Sequence, residues 1–225
     1  MKKWIERIPV IRDLFKYTYR KNKKYKDFKT SAEYWERRYK SGGNSGAGSY
    51  NNLAEFKGDI INSFIQDKKI VSVIEFGCGD GNQLKYLSFQ KYLGFDVSKK
   101  AVEICTQLYK HDDRKNFKQM SSYKYEKADL TLSLDVVFHL VEEQSYVNYM
   151  NTLFESSYKY VIVYSSNTDE NTFSSKHVKH RKFTDWVEIN QQDFRLLEYI
   201  PNKYSFDGDE MNTSFADFFV YEKKE

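Results

Sequence analysis

One stretch constrains this chain more than any other. Ile70-Val71-Ser72-Val73-Ile74-Glu75-Phe76 is rich in β-branched residues, and Gly77-Cys78-Gly79-Asp80-Gly81-Asn82 follows it at once. Such a run reads as a strand buried on both faces of a parallel sheet. Glycines at alternate positions beyond it specify a turn whose backbone can approach a ligand that a side chain would block. In open α/β sheets, ligands bind beyond the carboxyl ends of the strands. The pattern predicts a helix opening after the turn. Asp96 stands 19 positions after Gly77, at the end of the next predicted strand. A carboxylate there can accept both hydroxyls of a ribose.

The rest of the chain supports alternating strands and helices. The spacing predicts a short helix over Ser31–Tyr39 and another over 52–66, with Asn52 and Glu55 at capping-box spacing and Leu53, Phe56, Ile60, Ile61 and Phe64 on one face. Strands are expected at 91–96, 116–120, 128–134 and 160–165, and helices at 98–110, 142–157 and 183–191. Val147, Met150 and Phe154 should point inward from the second of these helices. Two last strands, 195–200 and 214–221, have no helix between them, so an antiparallel pair is expected at one edge. Alternating βα units imply a parallel sheet covered on both faces.

Composition narrows the function. The chain has 225 residues with 36 Lys+Arg against 32 Asp+Glu. Residues 1–30 hold 11 of those basic residues and 3 of the acidic ones, so the remainder is mildly acidic. A nucleic-acid-binding body would carry a basic face, so no nucleic acid is expected as partner. The basic arm has apolar residues at Trp4, Ile5, Ile8, Ile11, Leu14, Phe15 and Tyr19. That stripe suits an anionic membrane surface, a second copy of the chain, or docking on its own domain. No run is long enough to span a membrane. Cys78 and Cys105 form neither a disulfide framework nor a zinc pattern. No metal site is expected, and the reducing cytoplasm is the expected compartment, with peripheral membrane contact through the arm left open.

Two cofactors use a glycine turn followed by a ribose carboxylate. Dinucleotide binders want G-x-G-x-x-G with a helix N-terminus facing a pyrophosphate. Here the spacing is G-x-G-x-G, position 82 is Asn, and Glu75 precedes the first glycine. A carboxylate beside a pyrophosphate gains nothing, whereas it suits a sulfonium cofactor. S-adenosylmethionine is therefore expected rather than NAD. Cys78 reads as a small space-filling residue within the turn.

Three segments resemble the class I S-adenosylmethionine-dependent methyltransferases. Val73–Gly81 is similar to their first motif, Leu93-Gly94-Phe95-Asp96-Val97-Ser98 to their second, and Asp129–Leu140 to their fourth strand and active-site turn. The resemblance covers residues 68–165 well. It implies a Rossmann-like, seven-stranded, mostly parallel sheet of order 3-2-1-4-5-7-6 with strand 7 antiparallel, helices on both faces and an N-terminal helical extension. It also implies that Glu75, Gly77, Cys78, Gly79, Asp96, Val97 and Leu134 hold the cofactor. Where the family often has an acidic adenine contact, this chain has Met120-Ser121-Ser122, so Ser121 is the substitute. The segment Ser41–Ser49, flanked by Tyr34-Trp35 and Tyr50, is similar to the N-terminal segment of small bacterial methyltransferases from surface-polysaccharide gene clusters. That implies a lid over the methionine end, with Tyr34 and Ser45 as contacts. Residues 1–51 are thus read as arm and lid, and 52–225 as the methyltransferase domain.

Candidate chemistry follows from the location of the histidines. His139 follows the fourth strand at the ligand edge of the sheet, where a general base for an alcohol acceptor belongs; a packing histidine is the alternative. Asp135, at the strand end, can orient it or contact cofactor or substrate. His180 is the second candidate base. His177, Arg181 and Trp186 lie beyond the fifth strand, where loops carry function. Arg181 can clamp a phosphate or carboxylate, or belong to a solvated charge run. Trp186 can stack on a sugar or belong to the core. The expected activity is O-methylation of a small polar or phosphorylated metabolite or sugar in bacterial capsule biosynthesis. N-methylation and a non-catalytic cofactor-binding module are the alternatives.

Overall fold

The computed structural model describes residues 28–172 and 175–225. The amphipathic stripe between Trp4 and Tyr19 lies outside the described residues. Seven strands form a single sheet of order β3-β2-β1-β4-β5-β7-β6. They are β1 (Ser72–Phe76), β2 (Lys91–Asp96), β3 (Lys115–Gln119), β4 (Ala128–Leu134), β5 (Ser157–Ser165), β6 (Phe194–Ile200) and β7 (Asp217–Lys223). The first five run parallel, and β7 is antiparallel to both β5 and β6. The sheet order and the antiparallel edge pair agree with the sequence expectation.

Among the described residues, five α-helices accompany it: α1 (Ser31–Lys40), α2 (Asn51–Asp67), α3 (Lys99–Leu108), α4 (Glu143–Glu155) and α5 (Phe183–Asn190). The core lies on both faces of the sheet because side chains alternate along each strand. Val73, Leu130, Leu132, Ile162, Phe218 and Val220 pack with Ile61 and Phe64 of α2 and Cys105 of α3. Ile74, Phe76, Val161, Val163, Phe219 and Tyr221 pack with Met150, Leu153 and Phe154 of α4 and Phe183 of α5. Each such buried Val, Leu, Ile or Phe contributes roughly 1.5–3 kcal/mol. Val147 is only partly buried, while Tyr146 and Leu153 join Met150 and Phe154 inside.

Two local expectations are corrected. The capping box at Asn52 is not formed: Tyr50 is the N-cap of α2, without a side-chain bond, and Asn52 donates instead to the Asn212 carbonyl at 3.0 Å. The helix expected after the glycine turn is a single 3₁₀ turn over Asn82–Tyr86. The chain must reach β2 by Lys91, which leaves too few residues for a helix to cross the sheet and return.

Candidate active site

The glycine turn leaves β1 at the carboxyl end of the sheet. Gly77, Gly79 and Gly81 have φ of 89°, 59° and 76°, left-handed values that L side chains rarely adopt. A Cβ on Gly79 would stand 2.3 Å from Ser45 Oγ, and one on Gly77 2.4 Å from Val136 Cγ2. The turn is fixed from outside by α3 and its flank, where Cys105 Sγ donates to the Gly79 carbonyl and Tyr109 Oη to that of Gly81. No helix N-terminus follows, so the dinucleotide geometry that needs one is missing.

Asp96 closes β2 and is buried. The Gly79 N–H donates to its Oδ2 at 3.0 Å and the Ser98 N–H to its Oδ1 at 2.8 Å. These bonds fix the carboxylate plane and leave each oxygen a lone pair for a ribose hydroxyl. Burial raises its pKa to about 6, against the two backbone donors. Glu75 is also buried and accepts from Tyr92 Oη at 2.6 Å; burial pushes it to about 7.

Helix α1 roofs the cleft. Ser31 donates from N and Oγ to Glu142, each at 2.8 Å. Five residues on, Glu36 accepts from Ser98 Oγ at 2.6 Å and from the Lys100 N–H at 3.2 Å, and the Ser98 bond pulls its pKa down to about 2. The helix is thereby pinned on one side to the chain entering α4 and on the other to the start of α3. Trp35 and Tyr39 face the space beneath it. The glycine-rich loop then zips onto the turn. Ser45 N–H and Tyr50 Oη both donate to Asp80 Oδ2, and the Asp80 N–H donates to Ser45 Oγ.

The cleft beneath α1 is partly open, and the space it bounds, solvent included, is about 1000 Å³. Glu75, Gly77, Cys78, Gly79, Asp96, Val97, Leu134 and Ser45 all line it, as do Asp135 and His139. Among the described residues, its titratable lining is four carboxyl groups (Asp80, Asp96, Asp135 and Glu75, the last held partly protonated by burial) against one ammonium, Lys57. Such a cleft repels a pyrophosphate and suits a cation.

Other candidates lie elsewhere. Ser121 is exposed in the 3₁₀ turn Met120–Ser122, and Met120 takes the place beside the cleft. Tyr34 does not line it and stacks on His177 at 4.4 Å. His177 in turn stacks on His139 at 5.5 Å and supplies the carbonyl bonded to His139 Nδ1 at 3.0 Å. His180 is held by Ser166 Oγ at 2.7 Å, outside the lining. Arg181 is buried and spends its donors on the Leu140 and Val141 carbonyls and on Glu143, with its guanidinium 4.3 Å over the Tyr146 ring. It therefore fastens the β5–α5 loop to the start of α4. Trp186 packs edge-on against Tyr146, also outside the cleft. No group of acidic, His or Cys side chains among the described residues could hold a metal.

His139 lines the cleft at the 3₁₀ turn Val137–His139, edge-on to Trp35 at 4.9 Å. A carbonyl only accepts, so the bond to His177 assigns the proton of neutral His139 to Nδ1 and leaves Nε2 an acceptor. Burial lowers its pKa to about 4, so the ring is neutral at physiological pH.

Lys57 is the residue that sequence reasoning missed. Its side chain is 1% exposed, and Nζ lies 2.6 Å from Asp135 Oδ2 and 5.1 Å from the Tyr164 ring centroid. Asp135 itself has φ of 59°, held by its N–H donating to the Tyr164 carbonyl. The signal was available: Leu53, Lys57 and Ile61 recur every four residues, which puts a charge on the buried stripe of α2.

Comparison with known proteins places this architecture. Residues 74–162 match the family model described as a methyltransferase domain. The methyltransferase domain of a bacterial CtHen1 has a TM-score of 0.61 at 22% identity, covering 77% of this chain and all of that one. The N-methyltransferase NodS of Bradyrhizobium japonicum WM9, solved with S-adenosyl-L-homocysteine, has a TM-score of 0.67 at 13% identity, covering 88% and 100%. Magnesium protoporphyrin IX methyltransferase (ChlM) of Synechocystis PCC 6803, solved with bound SAM, has a TM-score of 0.56 at 14% identity and 96% of both chains. No curated protein matches the sequence. The fold is the Rossmann-like fold of class I methyltransferases. The buried Asp96 carboxylate and the acidic cleft fit S-adenosylmethionine, which is bound in the ChlM structure.

Proposed function

We propose that the protein transfers a methyl group from S-adenosylmethionine to an oxygen of a small polar acceptor, with His139 receiving the acceptor's proton. The tautomer of His139 carries this reading. A nitrogen acceptor brings its own lone pair, but a hydroxyl must lose a proton as it attacks. A histidine in the cleft with Nε2 fixed as an acceptor meets that need.

When bound, the cofactor supplies a methyl carbon activated by its sulfonium, which keeps the C–S electron pair as the acceptor oxygen bonds to carbon. The residues of the chain align and shield. Asp96 holds the ribose, and α1 with the glycine-rich loop covers the cleft and limits water. Alignment of this kind can supply several kcal/mol of the barrier. His177 orients His139 through its carbonyl and its stacked ring. The acceptor is read as a metabolite or sugar of surface-polysaccharide biosynthesis, on the resemblance of the glycine-rich segment.

The test is transfer of labelled methyl from S-adenosylmethionine to a panel of nucleotide sugars, sugar phosphates and amines. Label on oxygen is expected, with His139→Gln lowering kcat by about 100-fold or more while S-adenosylhomocysteine still binds. Because His139 is already neutral, kcat at saturating cofactor should stay level down to about pH 5. Label on nitrogen, with His139→Gln within a few-fold of wild type, overturns the oxygen reading.

A further inference from the structure

We propose that the β6–β7 loop is an apolar seat for the acceptor, and that the alcohol methylated here carries an uncharged apolar substituent that lies on Phe215 and Phe206. The inference rests on the methyl-transfer reading of the cleft and narrows the class of its acceptor.

Three observations carry it. First, the topology brings this loop to the cleft. β7 runs antiparallel to β5, and Asp217 at its start is paired with Ser165 at the end of β5. Residues 201–216 therefore lie at the carboxyl end of the parallel strands, the end at which such sheets bind ligands. The loop is also tied to the start of α2, where Asn52 donates to the Asn212 carbonyl at 3.0 Å.

Second, ring contacts run without a break from the proposed base to the surface. The Phe138 ring lies 4.5 Å from His139 and 5.0 Å from Phe215, and Phe215 lies 6.3 Å from Phe206. Phe138 is buried, but Phe215 is 43% and Phe206 50% exposed. A ring left in water forgoes the free energy of burial. The loop nevertheless holds them there by polar bonds. Ser205 and Ser214 form a bridge, the Ser214 N–H donates to the Tyr204 carbonyl at 2.9 Å, and Asp207 accepts from the Asp209 N–H at 3.0 Å. Phe206 and Phe215 flank that bridge, one on each strand side. Neighbouring exposed apolar groups on a fixed backbone mark a binding surface.

Third, charge selects the occupant. Residues 201–216 hold Asp207, Asp209 and Glu210 against Lys203 alone. That balance disfavours a phosphate or carboxylate beside the rings, and an anionic lipid surface equally. A neutral apolar group meets no such penalty. The acceptor then has two parts: a hydroxyl at His139 and an aromatic or aliphatic group on Phe215 and Phe206.

The test is calorimetric titration of the full-length protein, first with S-adenosylhomocysteine and then, in its presence, with three neutral glucosides. Methyl β-glucoside lacks an apolar group, benzyl β-glucoside has an aromatic one, and octyl β-glucoside, used below its micelle concentration, an aliphatic one. The benzyl or the octyl compound should bind about 10- to 100-fold tighter than the methyl compound, the range for burying a few CH₂ groups. Which of the two gains more identifies the source of the apolar group. Phe206→Ser with Phe215→Ser should abolish the preference while S-adenosylhomocysteine binds as in wild type, which shows that the fold is kept. Phe206→Ser alone leaves the contact of Phe215 with Phe138 in place and should already lower it. Equal affinity for the three glucosides, or no binding of the benzyl and octyl compounds by protein that binds S-adenosylhomocysteine, overturns the proposal. So does a preference that survives the double substitution. A wild-type dimer in sedimentation velocity that the double substitution dissociates would assign the rings to a second copy of the chain and overturn it as well. If folded wild type does not bind S-adenosylhomocysteine, the methyl-transfer reading itself has failed, and this inference falls with it.

Discussion

At the β2 end of the cleft, the polar groups are close in sequence and fixed by backbone. Asp96 is clamped by the N–H groups of Gly79 and Ser98, within two short motifs. At the β4 end, the groups come from segments far apart. Lys57 reaches Asp135 across 78 positions, and His139 takes its tautomer from His177, 38 positions away. The first arrangement is a rigid cradle, which in the proposed reading suits a ligand part that never changes. The second is assembled by side chains that can differ without disturbing the sheet, which in that reading suits the end where the acceptor approaches.

Breaking the cradle should have the largest effect. Gly79→Ala places a Cβ against Ser45 Oγ at a left-handed φ. Strain and overpacking together predict a loss of roughly 2–4 kcal/mol, read as a lower denaturant midpoint together with weaker S-adenosylhomocysteine binding. Wild-type stability would show that the glycine-rich loop moves aside, and the cradle would not be rigid. Asp96→Ala should weaken S-adenosylhomocysteine by about 100-fold through two lost charge-assisted bonds, with NAD binding negligible in both proteins.

A pH titration probes the same end. Burial raises Glu75 from the usual 4.5 to about 7, so the folded state keeps a proton that the unfolded chain has released. Its contribution to stability is complete below pH 4.5 and is lost as pH rises to 7, on the order of 3 kcal/mol. Glu75→Gln should flatten that slope between pH 5 and 8 in urea unfolding; an unchanged slope would assign it to another group.

The smallest effect separates anchoring from recognition at the β4 end. Arg181→Met leaves the Leu140 and Val141 carbonyls without their guanidinium donor, at a cost of about 1–3 kcal/mol. The ion pair with the exposed Glu143 adds little. The melting temperature should fall, while S-adenosylhomocysteine affinity stays within about twofold, since Arg181 touches no cleft residue other than the Leu140 carbonyl. An unchanged melting temperature with a raised KM for anionic acceptors would restore Arg181 to substrate binding.

The contrast explains what was legible in advance. The strand at 91–96 and the turn beyond β1 were readable because period and glycine spacing are local properties. The one-turn 3₁₀ segment at Asn82–Tyr86 was not, because a periodic signal does not report how much chain is left before the next strand. Asn52 had the right spacing for a cap, yet a carbonyl 160 positions away took its side chain. Arg181 and Trp186 stood in a loop where function concentrates. The structure shows both against Tyr146 instead, since a long side chain with apolar surface and several donors packs wherever rings and carbonyls are offered.

The sequence by itself determined the strands, the glycine turn and the place of Asp96 at a strand end, because each depends on residues adjacent to one another or repeating at a fixed period; the sheet order came from the family resemblance. Tertiary structure alone decided which histidine meets the cleft, which proton it carries, and that a lysine on the buried face of α2 faces Asp135. Those outcomes depend on distances between segments that no local pattern encodes, and on burial, which turns a charge into a requirement for a partner.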